Sequence, residues 1–128
     1  ESAGVVLVEG AGGFLVPIDE RRSMAELPGL LGLEVILVVG LRLGCLNHAL
    51  LTAEAIRERG LTLAGWIGNQ IEPEFARCEE NIATLRALLP ALCLGIVPWL
   101  AVPSVAAAAR AVEPVVSGLL PDTLSAQR

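Results

Sequence analysis

The chain has 128 residues and a net charge of −5; 54% of its residues are apolar, aromatics make up only 3%, and Tyr is absent. That length suits one domain with a real core rather than two. The nine basic residues are all Arg and lie scattered, which argues against nucleic acid as a partner. No apolar run reaches membrane-spanning length before Gly, Pro or a charge interrupts it.

Taken in chain order, Val5-Val6-Leu7-Val8 is a continuous apolar run that ends at Glu9 and opens into Gly10-Ala11-Gly12-Gly13. It reads as a buried strand followed by a flexible turn. Ser23-Met24-Ala25-Glu26 has capping-box spacing, but Pro28 and Gly29 follow at once, so the helix there should be short or broken. Val35-Ile36-Leu37-Val38-Val39 is the clearest strand, β-branched and bounded by Gly40. After a turn from Leu41 to Gly44, Asn47 is expected to cap a helix over residues 47–59, with Leu50, Ala53 and Ile56 on one face and Gly60 as its stop. Residues 61–67 predict a third strand closing on Gly68-Asn69-Gln70. A second helix is expected over 75–89, stopped by Pro90, and a fourth strand over 92–97, ending at Pro98-Trp99. From Val102 on, the alanine-rich segment reads as a loosely packed tail with one short helix.

Strand, broken helix, strand, helix, strand, helix, strand is an α/β order. Short loops and repeated βαβ units call for a mostly parallel sheet with right-handed crossovers. The apolar content, rich in Leu, Val, Ala and Ile, suits parallel strands covered by helices. Cys45, Cys78 and Cys93 have no metal-ligand spacing, and with His48 as the one histidine they cannot build a Cys/His zinc site. Without a signal peptide, the expected location is the reduced cytoplasm. A chain that opens on Glu1 rather than Met, just before a strand-like run, reads as a fragment or a truncated reading frame.

The polar clusters fall where open α/β sheets bind ligands, at the C-terminal ends of strands. Glu9 ends an apolar strand, where a carboxylate is costly unless compensated. A magnesium ion beside nucleotide phosphates would compensate it, and so would solvation by the adjoining loop. The glycines after it let a phosphate approach the backbone closely. Gly44-Cys45-Leu46-Asn47-His48 opens a helix whose free N–H groups suit a carboxylate or phosphate, or else is an ordinary cap with a buried Cys and a surface His. Asn69 could read a base edge or simply serve a turn. Trp99 could close the core at the sheet edge.

Together these strings resemble the dethiobiotin synthetase family. They are Leu7-Val8-Glu9-Gly10-Ala11-Gly12-Gly13, the stretch from Val35 through Asn47-His48, Gly-Leu-Thr-Leu-Ala-Gly-Trp-Ile-Gly-Asn over 60–69, and Leu94-Gly95-Ile96-Val97-Pro98-Trp99-Leu100. They stand in the family's order over about residues 5–100. The resemblance implies a doubly wound, mostly parallel sheet of the P-loop NTPase type, with residues 1–128 as the C-terminal portion of a single domain. It also implies a homodimer and an ATP- and Mg2+-dependent reaction. In that reaction CO2 joins 7,8-diaminopelargonate as a carbamate, ATP phosphorylates it, and the second amine closes the ureido ring. By motif, Glu9 resembles a magnesium ligand and an ATP contact. Gly10, Ala11 and Gly12 resemble the backbone beside the phosphates, and Asn69 with Gln70 resembles the adenine reader. Pro98, Trp99 and Leu100 resemble the wall around the base. Gly44, Cys45 and Asn47 resemble the helix start that receives the substrate carboxylate across the dimer interface.

The chain also departs from that pattern. The family's Walker-like loop, with its lysine and threonine, lies upstream of the matching region, as do a second catalytic lysine and a metal-binding aspartate. This chain contains no Lys at all. Arginine replaces it poorly, because a planar fork and a compact ammonium place charge differently. No catalytic residue is therefore assigned within these residues, and a missing N-terminal half is expected as partner. After Trp99 the chain reads Leu-Ala-Val-Pro-Ser-Val, without the polar residues the family often places near the ribose. Two other readings remain: a non-catalytic dimerisation or regulatory module on the same fold, and half of a related P-loop amidotransferase.

Overall fold

The computed structural model describes residues 5–117. Three parallel strands, β1 (Val35–Leu41), β2 (Leu63–Gln70) and β3 (Cys93–Val97), form one sheet in the order β1-β2-β3. Helix α2 (Cys45–Glu58) joins the first pair and α3 (Cys78–Leu88) the second. A short 3-10 turn, Met24–Glu26, and the five-residue α1 (Leu27–Leu31) precede the sheet, and α4 (Val105–Ser117) follows it.

The core lies between the sheet and the α2–α3 pair. Cys45, Ala49, Ala53 and Ile56 repeat at helical spacing and are buried, the first three in one cluster with Val39, Leu41 and Trp66 of the strands and Ile82 and Leu85 of α3. Trp66 is wholly enclosed, directly across the ladder from Leu37. Small Ala side chains on α2 leave room for it. Its indole Nε1–H is buried without an acceptor among the described residues, so it adds apolar contact but no hydrogen bond.

The other face of the sheet is covered only in part. Val115 of α4 is buried, and a Cβ on Gly95 would lie 2.6 Å from its Cγ2. Gly95 is there because α4 packs directly on the strand backbone. Ile96, the next residue along β3, packs against the Trp66 cluster. Alternation along a strand therefore sets α4 on the opposite face from α2 and α3. Helices lie on both faces, so the fold is α/β and doubly wound. At β1 no described helix covers the second face, and Val38 is exposed.

Four expectations need correction. Residues 5–8 form no strand: they run as irregular backbone with Val6 and Leu7 largely exposed. A strand needs a paired edge, and β1 pairs with β2 alone among the described residues. The connection from 9 to 34 carries only the Met24–Glu26 turn and the five-residue α1, which buries no side chain, too little to cover the sheet as a βαβ crossover must. Second, Asn47 does not cap α2. Gly44 does, at φ +91, and the helix starts at Cys45; the left-handed backbone turns the chain two residues earlier than a polar cap would, at little cost only for glycine. Third, Gly68-Asn69-Gln70 closes β2 from within the strand rather than following it. Fourth, the tail's helix is long: α4 spans 13 residues around Pro114, whose missing N–H costs one bond while the packing of Val115 holds the turn. Beyond residue 117 the tail lies outside the described residues.

The remaining elements are close to expectation. Glu26 Oε1 accepts the Ser23 N–H at 3.1 Å, the return bond of the capping box, and α1 is short, ending at left-handed Gly32. The second helix begins three residues later than expected, at Cys78, after Arg77 in a left-handed conformation.

Candidate functional site

The ladder aligns the C-terminal ends of the strands. Leu41 stands opposite Gln70, and Asn69 opposite Val97. The start of α2 follows β1 after three residues, and Pro98-Trp99 follows β3 directly. Two of the expected clusters therefore share one sheet edge.

At the first, Gly44, Cys45 and Asn47 are brought together by the turn from β1. Cys45 is buried, its Sγ 3.9 Å from Asn81 Oδ1 of α3, while Gly44 and Asn47 are exposed. The N–H of Cys45 is spent on the Arg42 carbonyl at 3.0 Å, and helical bonding resumes with His48 N–H to the Gly44 carbonyl at 3.2 Å. The intervening first-turn amides have no intrahelical acceptor and point out of the helix start. An open cleft of about 210 Å3 lies between β1 and this turn, lined by Leu37, Val39, Arg42, Cys45, His48 and Thr52. Arg42 has no ion pair among the described residues, which leaves its guanidinium available beside the helix terminus. Sequence reasoning passed over it as a turn residue. Its one signal was a cation placed between an apolar strand and a glycine-started helix.

At the second cluster the two amides differ. Gln70 Oε1 accepts the Trp99 N–H at 3.1 Å, and its Nε2 donates to Cys78 Sγ at 3.5 Å. The Asn69 side chain makes no hydrogen bond among the described residues and is half-buried at the strand end. Trp99 is 43% exposed, so it does not close the core, a part that Trp66 fills. Pro98 is exposed as well, and Leu100 is half-buried. The arrangement presents an indole, a proline and one free carboxamide on the same edge, a combination suited to a flat heterocycle.

Glu9, Gly10, Ala11 and Gly12 stand apart. No strand carries them to the sheet edge. Their nearest packing is local: a Cβ on Gly10 would lie 3.3 Å from Met24 Cε, and one on Gly12 3.0 Å from Val16 Cγ2. Gly12 and Gly13 have φ +84 and +115, a backbone only glycine adopts easily. No group of three or more His, Cys, Asp or Glu gathers among the described residues. The carboxylate of Glu9 would suit a magnesium ion, which beside nucleotides is commonly held by one or two carboxylates.

An AAA domain family model matches residues 1–106. The chain belongs to that family. It is also 60% identical over 99 residues to the ATP-dependent dethiobiotin synthetase BioD of Pseudomonas paraeruginosa, covering 77% of this chain and 43% of the relative. To the protein of the same name from Pseudomonas aeruginosa it is 54% identical over 119 residues, 91% of this chain and 52% of the relative. To that from Aromatoleum aromaticum it is 59% identical over 99 residues, 77% and 44%. The chain is thus homologous to dethiobiotin synthetases and spans about half the length of the curated relatives it matches. The P-loop NTPase-like fold agrees with the parallel sheet and its flanking helices. Among the described residues no helix is long and apolar enough to cross a membrane.

Proposed function

We propose that this chain is the C-terminal part of a cytoplasmic, homodimeric dethiobiotin synthetase. In this reading it holds the base of ATP and the carboxylate end of 7,8-diaminopelargonate, while an upstream segment supplies the lysine-bearing phosphate loop. The observation that carries the reading is the shared sheet edge. The glycine-capped start of α2 and the Asn69–Trp99 platform lie at the ends of neighbouring strands, in a sequence homologous to ATP-dependent dethiobiotin synthetases.

Each residue has a defined part in this reading. The first-turn amides beyond Gly44, with Cys45 behind them and Asn47 beside them, receive a carboxylate at the positive end of α2. Asn69 meets the polar edge of the base while Pro98, Trp99 and Leu100 enclose its faces. Gly10, Ala11 and Gly12 lie beside the phosphates, and Glu9 provides one ligand to Mg2+. ATP, when bound, supplies the phosphoryl group that activates the carbamate formed from CO2 and one amine of the substrate. The absence of Lys and the edge of β1, unpaired among the described residues, both support an upstream partner segment. Strands pair where an edge is free, and residues 5–8 are an apolar run still in need of one.

The test is ATP-dependent incorporation of labelled bicarbonate into diaminopelargonate, with this chain alone and with a separately expressed upstream half of a relative. Activity is expected in the mixture alone, and Glu9→Ala should reduce it by at least tenfold. Silence from the mixture, with this chain forming a stable folded dimer, would replace the enzyme reading by that of a dimerisation module. Turnover by the chain alone would refute the need for the lysine loop.

A further inference from the structure

Asn69 and Gln70 are adjacent carboxamides at one strand end, and a side chain that reads a base needs its donor and acceptor free. Gln70 has already committed one of each. Its oxygen takes the Trp99 N–H, 29 residues away in sequence, and its nitrogen donates to the Cys78 sulfur at the first residue of α3. The two bonds also fix which way the amide faces. Turned over, it would set its NH2 against the Trp99 N–H, donor against donor.

The position of Gln70 gives these bonds their effect. The β2–β3 ladder reaches the Asn69–Val97 pair, and Trp99 lies two residues beyond it, past a proline with no N–H to donate. Backbone pairing has ended at that point. The Gln70 side chain extends the hold of β2 on the chain leaving β3 and anchors it to α3 as well. Asn69, on the neighbouring position of the pleat, makes no hydrogen bond among the described residues.

We propose that Gln70 is a positioning residue for the nucleotide site: its amide holds the backbone of Trp99 where the indole can stack on the base, and Asn69 alone reads the base edge. This rests on the nucleotide-site reading above and divides the labour within it. Selectivity among bases should follow Asn69, and affinity for the nucleotide should follow Gln70.

The experiment uses four variants, Gln70→Leu, Gln70→Glu, Asn69→Ala and Trp99→Ala, in the chain combined with the upstream half of a relative. Kinetics are read with ATP and GTP, and hydrogen exchange at the Trp99 amide is read alongside. Gln70→Leu removes the acceptor and should raise KM for ATP roughly threefold to tenfold, the range of one net hydrogen bond. Its kcat and its ATP-over-GTP preference should not follow. Trp99 N–H exchange should accelerate by a similar factor. Gln70→Glu keeps an acceptor for Trp99, and the Cys78 thiol can donate to it, so both KM and exchange should return toward wild type. Asn69→Ala should flatten the base preference while Trp99 exchange stays slow.

A loss of base preference in Gln70→Leu would overturn the proposal in favour of Gln70 as a direct reader, and so would failure of Gln70→Glu to rescue either readout. The nucleotide-site reading fails separately. If Asn69→Ala and Trp99→Ala both leave KM for ATP unchanged, no base binds here, whatever Trp99 exchange shows for the Gln70 bond.

Discussion

Residues 5–8 and the first five residues of β1 are almost the same string, Val-Val-Leu-Val and Val-Ile-Leu-Val-Val, yet only the second is a strand. Leu7 is 77% exposed, while Val39 and Leu41 are buried. Composition and β-propensity do not separate the two runs. What separates them is a neighbour. β1 has β2 along its whole length, with Trp66 across from Leu37, and α2 lies over one face. Among the described residues, 5–8 have neither a paired edge nor a covering helix. Apolar side chains state a need for burial, and a β-strand forms only where backbone groups also find partners.

The largest predicted effect breaks the favoured member of this pair. Trp66→Ala removes the side chain that fills the space between β1, β2 and the helices, and should cost about 3–5 kcal/mol in denaturant unfolding. The amides of β1 should then lose protection in hydrogen exchange and approach those of residues 5–8. Continued protection of β1 would mean that its order does not depend on the neighbour.

The opposite sheet face gives the next effect. Gly95→Ala would press a methyl into Val115, a stiff β-branched residue, and should cost about 1–3 kcal/mol. The same substitution in a Val115→Ala background should cost clearly less, a coupling that a double-mutant cycle reads directly. Additive costs would show that α4 does not rest on β3.

The weaker member is tested by Leu7→Ser. In this chain the substitution should change stability by less than about 0.5 kcal/mol, as for an exposed residue. With the upstream half bound, it should cost about 1–2 kcal/mol, because the run would then be buried. Equal effects in both conditions would leave residues 5–8 without a partner to recruit them.

The smallest effect concerns the turn between the two regions. Asp19 accepts the N–H groups of Arg21 and Arg22, each at 2.9 Å, and pairs with the Arg22 guanidinium. These contacts, the Arg21 backbone bond foremost, hold its carboxyl below the ordinary 3.8. A depressed folded value means that any stabilisation is present above the unfolded pKa and lost as pH falls through the folded one. A carbon-detected NMR titration should place the midpoint under 3.8. A midpoint at or above it would mean that the Asp19 contacts with Arg21 and Arg22 do not hold this turn in solution.

Much of the fold was legible because its signals are local. β1 and β3 followed from short apolar runs between breakers, α2 and α3 from polar and apolar residues at helical spacing, and the short α1 from Pro28 and Gly29. The strand-end positions of the candidate site were legible, but their arrangement was not. The Gly44–His48 turn, Asn69 and Trp99 could all be picked out as residues at strand ends. The bond between Gln70 and Trp99 could not, since it joins residues 29 apart and depends on the β2–β3 register.

The sequence by itself determined which segments are apolar, where glycine and proline interrupt them, that no lysine is available for a phosphate loop, and which family the strings resemble. Only the tertiary structure decided that, among the described residues, residues 5–8 stay unpaired and Asn69 makes no hydrogen bond while Gln70 makes two, that Gly44 rather than Asn47 caps α2, and that Trp66 is the core indole and Trp99 the exposed one. The reason is the same in each case. Side-chain pattern is written residue by residue along the chain, whereas pairing, burial and hydrogen-bond occupancy belong to contacts between segments far apart in it.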